Sequence, residues 1–103
     1  MHVWFSVTPI GTASGSVSRE VARAVEAARA TGARCETGPS GTVVEGTWDE
    51  CMVALRAAGE AVLERAPRVS FTAKFDIRTD QPTQTAADKL TSLRRALEER
   101  DLT

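Results

Sequence analysis

Hydrophobic positions along the chain switch between a period of two and a period of 3.6. In His2–Thr8, Val3, Phe5 and Val7 point one way and Trp4, Ser6 and Thr8 the other, the pattern of a half-buried strand. Arg68–Ile77 shows the same alternation over a longer run, with Val69, Phe71, Ala73, Phe75 and Ile77 set against Ser70, Thr72, Lys74 and Asp76. Thr42–Glu45 is short but β-branched, which also predicts a strand. Ala33–Thr37 is weaker because it carries Arg34 and Glu36. The turn-forming Gly38-Pro39-Ser40-Gly41 joins it to Thr42–Glu45, so the two should pair antiparallel.

Helical spacing appears three times. Val17, Val21, Val25 and Ala28 predict a helix capped by Ser16 and closed by Gly32 in the left-handed conformation. A second helix runs from about Trp48 to Arg65. Thr47 and Glu50 form a capping-box signature at its start, Pro67 marks its exit, and Trp48, Met52, Leu55, Ala58, Val62 and Leu63 are expected to face inward. Gly59 inside it costs roughly 1 kcal/mol relative to alanine, which suggests close packing against the sheet. After a polar loop, Arg78–Gln84, Thr85 can cap a last helix through about Arg100 with Leu90, Leu93 and Leu97 on one stripe.

The order is therefore βαββαβ plus a C-terminal helix. Right-handed crossovers turn this order into an α+β, ferredoxin-like sandwich: an antiparallel four-stranded sheet with two helices on one face. The other face is left open and should carry Trp4, Ser6, Thr8, Thr72, Lys74 and Asp76. A second subunit covering that face, with a ligand pocket at the seam, is the expected consequence.

Composition narrows the function. A chain of 103 residues makes one domain, burying roughly 60–70% of its unfolded surface. Its 42% hydrophobic and 26% charged residues are ordinary for a soluble globular protein. The net charge of −1 gives no electrostatic reason to expect nucleic acid or an anionic membrane as partner. No apolar run approaches the roughly 20 residues of a membrane span, and MHVWFSVTPIG lacks the basic and long apolar regions of a secretory signal, so the cytoplasm is the expected location.

Candidate chemistry is sparse. Cys35 and Cys51 have no zinc-like or CxxC spacing and are too few for an iron–sulfur cluster; reduced thiols are expected. His2 is the sole histidine, which argues against histidine triads and His-rich metal sites. No cofactor is expected. An RNA-binding sheet would need more aromatics than Trp4. An acylphosphatase-like loop would need arginine and asparagine, but Gly11–Ser16 holds no arginine and the chain no asparagine. Backbone N–H groups at the helix start could still bind an anion there. On the positive side, Glu45 and Asp76 are carboxylates near strand ends. Trp4 and Trp48 are rings that suit a flat or cationic ligand, and Ser6, Thr8, Thr37 and Thr42 supply hydroxyls. Each has a plainer reading: Trp48 as a packing residue, Asp76 paired with Arg78 for under about 1 kcal/mol, Glu45 as a solvated edge residue or interface contact.

The segments FSVTPIGT (Phe5–Thr12) with SVS (Ser16–Ser18), GTVVEGTWDECM (Gly41–Met52) and RAPRVSFTAKFDIR (Arg65–Arg78) resemble the YkoF-like family of small thiamine-binding proteins, in order and at similar spacing over nearly the whole chain. The resemblance implies a ferredoxin-like domain that associates through its sheet into dimers or tetramers. It also implies that thiamine or its hydroxymethylpyrimidine part is bound between subunits without catalysis. Carried over residue by residue, it implies Ser6, Thr42, Glu45 and Trp48 as ligand contacts. A carboxylate such as Glu45 can pair with the aminopyrimidine edge, and Trp48 or Trp4 with Asp76 can face the thiazolium cation. The Ala13-Ser14-Gly15 insert and the Thr79–Thr85 loop depart from the family pattern at the pocket rim. The expectation is a non-catalytic small-molecule binder. A regulatory or structural homo-oligomer without such a ligand is one alternative, and an enzyme on an anionic substrate near Gly11–Ser16 another.

Overall fold

The computed structural model describes residues 1–12, 17–79 and 86–101. The elements are β1 (His2–Ile10), α1 (Ser18–Ala30), β2 (Arg34–Thr37), β3 (Thr42–Glu45), α2 (Trp48–Leu63), β4 (Arg68–Asp76) and α3 (Ala86–Asp101). The strands form one antiparallel sheet in the order β2-β3-β1-β4, as the ferredoxin-like reading requires. The two longest strands lie side by side, nine residue pairs from His2↔Asp76 to Ile10↔Arg68.

This register fixes which side chains share a face, because facing residues in an antiparallel pair project the same way. Val3 lies opposite Val44 and Phe75, and Val7 opposite Phe71, all on the helix side. Trp4 lies opposite Val43 and Lys74, and His2 opposite Glu45 and Asp76, on the open side. Val3, Phe5, Val7 and Val44 meet Ala24 and Ala28 of α1 and Cys51, Ala54, Leu55, Ala58 and Val62 of α2 in one core. Four of these helix residues are alanines with no exposed surface, so the two helices approach closely over a thin layer of side chains.

Helix ends follow local chemistry. Thr47 accepts from the Glu50 backbone N–H while the Glu50 carboxylate accepts from the Thr47 N–H at 3.0 Å, completing the capping box. Gly32 closes α1 at φ +90° with its N–H on the Arg29 carbonyl. The cap residue of α1 is Val17, whose side chain makes no capping hydrogen bond; the expected caps Ser16 and Thr85 lie outside the described residues.

Three expectations about helix and strand faces need correction. Trp48, Met52 and Leu63 are substantially exposed, and α2 buries Cys51, Ala54, Leu55, Ala58, Gly59 and Val62 instead. The buried stripe is set by the small residues facing α1, which the larger hydrophobics of the sequence pattern mask. On α1, Val17 is exposed and Val21 half-buried, with Ala24 taking the core position. On β4, Phe71 and Phe75 remain about two-fifths exposed, because β4 is an edge strand and the helix layer covers it only in part.

Candidate functional site

Thr37 and Thr42 bring their hydroxyls together on the helix side of the sheet, while Ser6 and Thr8 of β1 project to the open face. Ser6, Thr8, Thr37 and Thr42 line a half-enclosed cavity of about 250 Å³ between the start of α1 and the β2–β3 turn. Val17, Val21 and Val25 of α1 form its apolar wall, and Gly38–Gly41 its rim. Thr42 is nearly inaccessible (3% exposed), and its hydroxyl lies 3.1 Å from that of Thr37 across the β2–β3 pair. The turn is held by Gly38 N–H on the Gly41 carbonyl at 2.9 Å. Gly41 is tightly enclosed: a β-carbon there would sit 2.5 Å from Trp4 Nε1 and 2.6 Å from the Phe5 carbonyl, so the indole lies directly over this turn.

Ser6 and Thr42 both border this cavity, but Thr42 projects to the helix side and Ser6 to the open face, and Glu45 and Trp48 are not among its lining. Thr42 and Glu45 lie three residues apart on one strand and project to opposite faces. On the open face, Glu45 is a cross-strand neighbour of His2 and Arg34. Its Oε1 is 3.6 Å from His2 Nε2 and its Oε2 is 3.7 Å from Arg34 Nε, with the carboxylate side chain 16% exposed. This placement ties Glu45 to its own sheet. Trp48, at the first position of α2, stacks on Phe75 with ring centroids 5.5 Å apart and planes at 23°. It is 53% exposed, a ring lying on the α2–β4 seam and away from the cavity. Asp76, expected as a counter-charge, is bonded by Lys89 of α3.

Sequence reasoning missed Val17, Val21 and Val25 as cavity wall, treating them as core. Residues 13–16 of the Gly11–Ser16 loop lie outside the described residues.

Titration behaviour points away from thiol chemistry. Burial pushes both thiols above their ordinary value, in Cys35 against the opposing pull of Arg29 and in Cys51 against that of the N-terminal ammonium, so neither is activated as a thiolate. Glu50 is held below the usual carboxylate range, chiefly by the Thr47 backbone N–H it accepts. Among the described residues, no group of three or more His, Cys, Asp or Glu side chains could hold a metal ion, and no described helix is long and apolar enough to cross a membrane.

Comparison with known proteins places this geometry in context. The profile of a family described as thiamine-binding protein matches residues 3–94. A UPF0045 protein of Mycobacterium tuberculosis is 45% identical over 89 residues, covering 82% of this chain and 86% of its own length. Another from Methanothermobacter thermautotrophicus is 46% identical over 77 residues, covering 73% and 78%. Among solved structures, a hypothetical protein of Methanocaldococcus jannaschii superposes with a TM-score of 0.81 at 33% identity over 89% of this chain and 93% of its own. A Thermotoga maritima protein provisionally assigned to thiamine biosynthesis or salvage superposes with a TM-score of 0.74 at 25% identity, covering 89% and 96%.

Proposed function

The chain belongs to the thiamine-binding protein family, and from that premise we propose that it is a non-catalytic binder of thiamine or its hydroxymethylpyrimidine part, held where subunits meet. The hydroxyl-lined cavity between α1 and the β2–β3 turn carries this reading. Neutral hydroxyls set in an apolar wall suit a flat heterocycle with ring nitrogens and an exocyclic amine, which they can both donate to and accept from. At about 250 Å³ the cavity lies below the roughly 300–1,000 Å³ of sites for larger ligands. One ring fits inside it, and the second ring of thiamine extends to the mouth, where a neighbouring subunit can complete the enclosure. Thr42 then contacts the ligand, while Ser6 projects to the open face. Glu45 and Trp48 contribute only through an assembly that brings the open face or the α2–β4 seam of another copy to the cavity.

Self-association through the open sheet face is part of the reading. Both α1 and α2 pack on the other face, which leaves the half-buried Trp4 and Val43 on a side rich in charged and hydroxyl groups. Calorimetric titration of the intact protein with thiamine and, separately, with hydroxymethylpyrimidine is the test. Saturable heat with either supports the proposal. No heat and no thermal shift at millimolar ligand favours the alternative, a regulatory or structural homo-oligomer.

A further inference from the structure

The sheet has a gap on one side of its first strand. β1 pairs with β4 along its whole length, from His2 to Ile10, but with β3 only from His2 to Phe5. Beyond Phe5 the chain has turned away at Gly38–Gly41, where the Gly38 N–H takes the Gly41 carbonyl, and the β3 side of β1 is open. The cavity between α1 and that turn lies in this gap. Val7 and Thr8 border it from one side, Ser40 and Gly41 from the other.

Strand parity decides which backbone groups face the gap. Met1 and Gly46 exchange two hydrogen bonds: the Gly46 N–H donates to the Met1 carbonyl at 3.1 Å, and the Met1 ammonium to the Gly46 carbonyl at 2.7 Å. Every second residue after Met1 therefore turns its N–H and C=O towards β3, and the residues between turn theirs towards β4. Val3 and Phe5 meet Val44 and Thr42 in this way. The next two on that side are Val7 and Pro9. Proline has no N–H to leave unpaired, and an edge is the place in a sheet that tolerates it. Val7 keeps one N–H and one C=O aimed into the gap, and among the described residues neither has a hydrogen-bond partner. The Val7 side chain is anchored in the core, so this pair of groups is held in place.

Backbone polar groups of a buried residue are costly to leave unpaired, which makes this pair a recognition element in want of a ligand. The N–H and C=O of one extended residue lie side by side, a donor next to an acceptor. Their complement is an acceptor next to a donor, which an aminoheterocycle offers as a ring nitrogen beside an exocyclic amine. Building on the binding function proposed for this cavity, we propose that the Val7 backbone pairs with that edge of the aminopyrimidine ring and sets the specificity of the site. The ring then lies in the plane of the sheet, in the place that β3 leaves empty. One of its faces rests on the valines of α1 and the other looks to the open side. Hydroxyls alone cannot supply such selectivity, because those of Thr37 and Thr42 rotate and serve a donor or an acceptor equally. The Val7 pair is fixed. A deaminated oxo ring, with N–H beside C=O, meets it in the same pose with donor against donor and acceptor against acceptor.

Amide hydrogen exchange followed by NMR on the intact protein is the test, with hydroxymethylpyrimidine as the probe. In the free protein the Val7 amide should exchange far faster than those of Val3 and Phe5, its paired neighbours on the same side of β1. Saturating probe should slow Val7 by at least about tenfold. With protein and probe both isotope-labelled in nitrogen, a scalar coupling across the Val7 N–H···N bond should appear. The deaminated oxo analogue should bind at least about tenfold more weakly than the probe in calorimetry. A Val7 amide already protected in the free protein would show that the gap is filled by protein and would overturn the inference. Probe that binds while Val7 exchanges as before, or an oxo analogue of equal affinity, would also overturn it and leave the binding function standing. A probe that does not bind at all removes both.

Discussion

Gly59 of α2 lies against the ring of Phe71 in β4 so closely that a β-carbon would come within 2.7 Å of Cε2. A glycine that the helix alone would disfavour is therefore what allows α2 to settle onto the edge strand. Gly59→Ala gains about 1 kcal/mol of helix propensity, but the ring it displaces also packs on Phe5, 6.0 Å away between centroids. Overpacking of this kind costs about 1–3 kcal/mol. The expected net effect is a loss of about 1 kcal/mol in urea denaturation, with a much smaller loss when Phe71→Leu is already present. A Gly59→Ala protein more stable than wild type would mean that the contact is not tight.

The capping box is the second test. Thr47→Ala removes the side-chain acceptor for the Glu50 N–H and should cost about 1 kcal/mol. Glu50 adds a pH dependence. Its folded-state value is depressed, so its contribution is present above the unfolded value, close to the usual glutamate pKa, and is lost as pH falls through the folded one. Glu50→Gln should therefore be less stable than wild type at pH 7 and converge with it in acid. A stability gap that stays constant from pH 7 to pH 3 would contradict that assignment.

Two substitutions at opposite ends of β3 locate the ligand. Thr42→Val keeps the shape of the side chain and removes the hydroxyl that meets Thr37 inside the cavity. It should weaken thiamine or pyrimidine binding about five- to thirty-fold in calorimetry, the equivalent of about 1–2 kcal/mol for a lost buried hydrogen bond. Glu45→Gln should weaken binding several-fold only if an assembled neighbour brings the open face to the cavity. Unchanged affinity for Glu45→Gln removes that residue from the site, and unchanged affinity for Thr42→Val removes the cavity.

Trp4 tests the open-face contact. A charge placed at Trp4 would be buried in a sheet-to-sheet interface, so Trp4→Glu should lower the sedimentation mass. Its indole also covers Gly41, so thermal unfolding has to be followed alongside. A folded variant with wild-type mass counts against assembly through that face.

Period-two alternation and turn residues made the sheet legible in advance. The capping box, the left-handed Gly32 and the packing role of Gly59 were readable for the same reason: each is a local rule with one physical cause. The burial of α2 was not. Its inner face is Cys51, Ala54 and Ala58, small residues whose burial depends on how near α1 comes, and the larger Trp48 and Met52 dominate the pattern while facing outward. The hydroxyls Ser6, Thr8, Thr37 and Thr42 were visible as a polar set, but the meeting of Thr37 with Thr42 on the helix side needed the strand register. The separation of Thr42 from Glu45 follows from strand parity alone, which the family resemblance passed over.

The long β1–β4 ladder joins the first strand of the chain to the last, with Val3 paired to Phe75 across most of the sequence. On the ribosome, the opening strand must therefore wait, with one side unpaired, until residue 76 has cleared the exit tunnel. Sequence-distant pairing of this sort slows folding, because the loop must close before any contact rewards it. Until then the nascent chain exposes Val3, Phe5 and Val7 on an unfinished sheet, which is the interval when chaperones matter most to it.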